Sequence, residues 1–250
     1  MTFSLVPSAL SATMVALACL ATTAQAQAPA NGSVALPAAA NNAASVTAPQ
    51  VVAHYAHLVH SNYSDPLAAA KAMQTAISAF TSQPSAATLA EARKTWLAAR
   101  EFYGQTEAFR FYGGPIDNDN GPEGRINAWP MDESFVDSVQ GKASAGLVNN
   151  RKFVISKKNL SAQNERGGEE NIATGWHAIE FFLWGQDVSD TGPGERSFED
   201  FVDGKAPNAD RRRQYLNVVT ELLSDDLTSL VKAWAPDAKN NYRARFVKGN

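Results

Sequence analysis

The stretch Thr88-Leu-Ala-Glu-Ala-Arg-Lys-Thr-Trp-Leu-Ala-Ala-Arg-Glu-Phe-Tyr-Gly-Gln-Thr-Glu-Ala-Phe109 reads as one long helix. Leu89, Trp96, Leu97, Phe102 and Tyr103 recur at helical spacing, and Arg93, Lys94 and Arg100 supply a polar side. Working outward, Val51, Val52, Tyr55, Leu58 and Val59 mark a helix over 48–62. Asp65-Pro66 reads as the start of a second one that carries Met73, Ile77 and Phe80, since proline suits a first helical turn. Pro84 breaks the chain before the long helix.

Downstream, 112–130 and 185–207 are too rich in Gly, Pro, Asn and Asp for regular structure, although the aromatics and Ile126 in the first loop predict that it is ordered. Short helices are expected around 132–139 and 158–163. A strong helix is expected over 169–184, opened by Glu169 and Glu170 at its positive dipole end. A long amphipathic helix over 208–234 is ended by Pro236. No period-two alternation and no phosphate-cradling glycine loop is visible. The fold class is therefore all-α, a helical bundle of antiparallel helices with long ordered loops.

The 250 residues are 44% hydrophobic with a formal net charge of -3, enough apolar content for a sizeable core and no basic excess for nucleic acid. Leu5 to Leu20 is apolar and ends in Ala24-Gln25-Ala26, so residues 1–26 read as a signal peptide, even though no Lys or Arg precedes the apolar run. The only cysteine, Cys19, lies inside that segment; a lipoprotein is the weaker alternative, because Ala16-Leu17-Ala18 lacks the usual bulky residue. A mature chain without cysteine has no disulfide and no thiol chemistry. Residues 27–45, rich in Ala, Pro and Asn, read as a flexible linker, and 46–250 as the folded helical domain.

His177 and Glu180 are three apart on one helix face, among Ile172, Ile179, Phe181, Phe182 and Leu183. An imidazole with a carboxylate suits Fe, Zn, Cu or Mn better than Ca or Mg, and the plainer reading is a hydrogen-bonded pair. A metal needs at least one more ligand. Glu107, sharing a face with Tyr103 and flanked by Phe109 and Phe111, is the best supplier, whereas Glu101 reads as a solvated helix end. Arg125 and Asn127 in the glycine- and proline-rich loop offer donors, and Asp132 and Glu133 follow. Arg125 would hold a buried carboxylate or anionic ligand, or else clamp loop carbonyls. His54, His57 and His60 drift around a helix too broadly to share one ion, and Arg211-Arg212-Arg213 reads as a solvated face. His-Glu-x-x-His, Gly-x-Ser-x-Gly and a mature cysteine nucleophile are all absent.

Three segments, Tyr103-Gly-Gln-Thr-Glu-Ala-Phe-Arg-Phe-Tyr112, Gly121-Pro-Glu-Gly-Arg-Ile-Asn-Ala-Trp-Pro130 and 168–187, resemble the imelysin-like family (peptidase M75 superfamily) in its iron-regulated protein A branch. The resemblance covers roughly 51–246. It implies a Gly-x-His-x-x-Glu motif, here Gly175, His177 and Glu180, and a fold of two related helical bundles exported to the periplasm or outer envelope. It also implies iron uptake or handling, with other envelope iron-uptake components as partners, and it strengthens Glu107 as the third metal ligand. A metallopeptidase and a non-catalytic ligand- or peptide-binding module are the alternatives. Members of this branch continue through a second helical half, so this chain is expected to represent the first, with a homodimer as the consequence of any apolar face left open.

Overall fold

The structure, a computed structural model, describes residues 45–249. The expected signal peptide, Cys19 and all of the expected linker except its last residue lie outside the described residues.

Nine α-helices occur among the described residues: α1 (Ala48–Ser82), α2 (Ala86–Gly104), α3 (Glu123–Ile126), α4 (Glu133–Val136), α5 (Gly146–Asn149), α6 (Lys157–Gln163), α7 (Gly175–Trp184), α8 (Ala209–Trp234) and α9 (Tyr242–Lys248). The only β-type pairing among them is an isolated bridge between Val139 and Lys142. The chain is all-α, as the periodicity predicts.

The bundle is built on α1, α2 and α8. A reciprocal capping box, Ser85 with Thr88, starts α2 right after α1 ends, so the two helices form a hairpin. Along α1 and α8 the contacts run in opposite directions. Thr81 Oγ1 donates to Asn217 Oδ1 (3.1 Å), Ser224 Oγ donates to Gln74 Oε1 (2.9 Å), and the rings of Tyr55 and Trp234 meet at 6.3 Å. The core between them is fully buried at Val59, Met73, Ile77, Phe80, Leu216 and Leu227, each such side chain contributing about 1.5–3 kcal/mol. At one pole Tyr55, Trp234 and Phe246 pack ring against ring, with Tyr55 and Phe246 centroids 5.6 Å apart, which seats α9 on the bundle.

Pro66 does not start a helix; α1 runs through it. The proline removes a backbone donor and crowds the preceding turn, a cost of about 3 kcal/mol in a helix interior. Pro66 itself is buried, and packing against α2 and α8 outweighs the local penalty.

The helix expected over 169–184 starts six residues late, at Gly175. Asn164 Oδ1 accepts from the backbone N–H groups of Ala173 (2.9 Å) and Thr174 (3.2 Å), so those donors are turned away from a helical ladder. Glu169 and Glu170 sit in a turn and have no helix dipole to favour them. The loop over 112–130 is ordered as expected: it contains α3 and buries Ile126 completely.

Candidate metal centre

Helix α7 carries His177 and Glu180, and Gly175 places it. Gly175 has φ +81°, and a Cβ there would lie 2.4 Å from Ile126 O and 2.6 Å from Arg125 O. The start of α7 thus presses directly on the backbone of α3, an approach open only to glycine. Thr174 Oγ1 donates to Arg125 O (2.9 Å) and Asn164 Nδ2 to Gly124 O (2.8 Å), locking the junction. At the other end, Arg93 Nε donates to Leu183 O (2.9 Å) and satisfies a terminal carbonyl. Along its length α7 lies antiparallel to α2, with Trp96 and Trp176 rings 6.2 Å apart and Trp96 Nε1 donating to Trp176 O (3.2 Å).

His177 Nδ1 and Glu180 Oε2 are 3.1 Å apart. The ring of Trp129 lies against the imidazole at 4.7 Å between centroids. The pair opens into a pocket of about 490 Å³, walled by Trp96, Leu97, Trp129, Met131, Phe181 and Trp184. Glu133 and Asp187 also line it, and no Lys or Arg does. Burial pushes the Glu133 carboxyl above its ordinary value; Arg196 opposes this, and Asp187, Asp132 and Glu180 reinforce it.

The other predicted residues lie around this pocket rather than in it. Glu107 accepts from Arg110 Nη1 (2.7 Å) and Asn127 Nδ2 (2.9 Å), and Arg110 also pairs with Glu123 (2.8 Å). The structure therefore does not bring Glu107 to His177 and Glu180: it does not line the pocket, and its carboxylate is engaged by two donors. Among the described residues no three His, Cys, Asp or Glu side chains are grouped as a metal cluster. Tyr103 is fully buried, its hydroxyl unpartnered and its pKa raised by burial and by the neighbouring Tyr63, Glu107 and Glu123. Arg125 holds the buried carboxylate of Asp226 (2.7 Å), one of its two expected roles. Asp132 caps α4, accepting from Ser134 N (2.9 Å) and Ser134 Oγ (2.7 Å), and so orders the backbone that presents Glu133.

Behind the pocket stands a cluster that sequence reasoning missed. Asp137 is fully buried and accepts from Arg212 Nε (2.6 Å), Arg212 Nη2 (3.1 Å) and Arg196 Nη1 (3.1 Å). Arg196 in turn stacks over Phe181, a pocket residue, at 5.0 Å. The three consecutive arginines are not a solvated face. Arg211 donates to four carbonyls of 147–153, Arg212 to Asp137, and Arg213 to Asp203 (2.9 Å). A signal was present: Ala209, Arg212, Leu216, Val219 and Leu223 share one helical stripe, so Arg212 stands at a core position.

The imelysin family model (peptidase M75) matches residues 59–249. Iron-regulated protein A of Synechococcus elongatus is 37% identical over 71 residues, which is 28% of this chain and 19% of that protein. A crystal structure from Parabacteroides distasonis, named for an iron-regulated protein A precursor, superposes with a TM-score of 0.56 at 24% identity, a likeness of fold. That match covers 83% of this chain and 52% of the solved one, so the chain spans about half the length of its solved relative.

Proposed function

Because the chain belongs to the imelysin family, we propose that it is an iron-handling protein of the cell envelope that holds the ion at His177 and Glu180. Similarity to iron-regulated protein A supports iron over other metals. The observation that carries the reading is the contact of His177 Nδ1 with Glu180 Oε2 at 3.1 Å on a pocket that Glu133 and Asp187 also line. A nitrogen and a carboxylate oxygen fit iron, zinc or copper, and nearby carboxylates without a competing cation favour a positive guest. The apolar segment ending in Ala24-Gln25-Ala26 supports export to the periplasm or outer envelope. Other iron-uptake components of the envelope would be its partners, receiving the ion from the open pocket.

The test is metal content and titration with Fe, Zn and Cu, comparing mature protein with a His177→Ala, Glu180→Ala double variant. An i,i+3 pair contributes only about 0.2–0.5 kcal/mol to a helix, and neither His177 nor Glu180 is fully buried, so the variant should fold. Stoichiometric binding that weakens about 100-fold or more in the variant is the expected result, since even supporting groups outside the ligand shell account for 10–100-fold. Equal weak binding in both would overturn the reading.

A metallopeptidase is the second reading, and Glu133 is the observation that favours it. A carboxyl whose pKa burial raises, lining the same pocket as His177 and Glu180, is the kind of group that serves as a general base. Cleavage of a peptide by purified protein, lost in both Glu133→Gln and His177→Ala, would replace the carrier with the enzyme.

A further inference from the structure

Resting on the metal reading above, we infer that the pocket takes its ion as a cationic complex with a neutral, flat, apolar chelator, and not as a hydrated ion. Coordination is the first reason. His177 and Glu180 supply two donors, and among the described residues no third His, Cys, Asp or Glu joins them. A six-coordinate ion then keeps four positions for ligands that it brings with it.

Size and surface agree. At roughly 30 Å³ per water, an ion with six waters occupies on the order of 200 Å³. The pocket is about 490 Å³. Its surplus is walled by Trp96, Leu97, Trp129, Met131, Phe181 and Trp184. Trp129 is 69% exposed and Leu97 57%, an apolar surface that hydrated iron cannot use and that a flat ring would cover.

Charge sets the class. Glu133, Glu180 and Asp187 line the pocket together with His177, and no Lys or Arg lines it; Arg196, behind Phe181, counters only part of this charge at Glu133. Polycarboxylate and catecholate chelators would be repelled. A neutral chelator leaves the ion's charge intact, so the carboxylates attract the complex and the tryptophan faces add cation–π attraction.

Mature full-length protein is titrated with Ni²⁺ alone, Ni²⁺ with one equivalent of 2,2′-bipyridine, Ni²⁺ with one equivalent of citrate, and bipyridine alone. Tryptophan emission and nickel retained through gel filtration are the readouts. The expected result is at least tenfold tighter binding of the bipyridine complex than of Ni²⁺ alone, with the citrate complex weaker than either. Leu97→Ser, on α2 and not on the ligand helix, should bring the ratio of bipyridine-complex to Ni²⁺ affinity down toward one. Equal binding of Ni²⁺ with and without bipyridine, both lost in His177→Ala with Glu180→Ala, overturns the inference and leaves the metal reading standing. So does quenching by bipyridine alone that matches the complex, or a citrate complex that binds tightest. Nickel binding unaffected by loss of the two ligands overturns both.

Discussion

Asp137→Ala should lower the unfolding free energy by about 3–5 kcal/mol, because it leaves Arg196 and Arg212 buried without their shared counter-charge. Burial by itself pushes the Asp137 carboxyl up, but hydrogen bonds and charge from Arg212 and Arg196 outweigh it and hold the group below its ordinary value. A depressed carboxyl contributes stability that is present in full above its unfolded pKa of about 3.9 and is lost as pH falls through the lower folded value. Urea denaturation at pH 7 and at successively lower pH should therefore show the wild type losing more stability toward acid than the variant, so that the two converge. A variant within 1 kcal/mol of wild type at pH 7 would show that water or a local shift replaces the carboxylate. Arg196 stacks on Phe181, so the same variant should also loosen the pocket wall.

Gly175→Ala should cost at least about 2 kcal/mol and disturb metal binding along with stability. Two effects add: a side chain at φ +81° is strained, and the new Cβ would meet Ile126 O at 2.4 Å and Arg125 O at 2.6 Å. Backbone carbonyls cannot swing aside as a flexible side chain does, so α7 has to move off α3, and His177 and Glu180 travel with it. Thermal unfolding and a nickel titration on one preparation check both parts. Unchanged melting would mean that the junction is softer than its contacts imply, and lowered stability with unchanged affinity would separate the motif's glycine from the ligands.

Much of the bundle was legible because α2 and α8 carry their burial in a strict helical period. Where the reading departed from the structure, distant contacts were responsible. Pro66 looks like a boundary in any local window, yet α1 continues because α2 and α8 pack along it. The late start of α7 depends on Asn164, ten residues away from Thr174, which accepts the N–H groups of Ala173 and Thr174. The contact of His177 with Glu180 was legible because three-residue spacing is enough to bring the two side chains together. The place of Glu107 was not, since Glu107 and α7 are joined only by tertiary structure, and in the fold Arg110 and Asn127 claim the carboxylate. Trp129 against His177, and Asp137 between two arginines, carry no local pattern. Only Arg212 announced itself, as a charged residue on an apolar stripe.

The ring cluster of Tyr55, Trp234 and Phe246 brings the first turns of α1 and the last helix, α9, to one pole, and Arg243 Nη1 donates to Ala56 O there (2.8 Å). The two ends of the folded unit are thus neighbours, while the turn at 83–85 between α1 and α2 closes a hairpin remote in sequence from both. The topology is in that sense nearly circular. A permutant that joins 249 to 48 through a short Gly/Ser linker and opens between Gln83 and Pro84, ahead of the Ser85 cap of α2, would keep the helices and the pocket beside α7, and change the order in which the chain visits them.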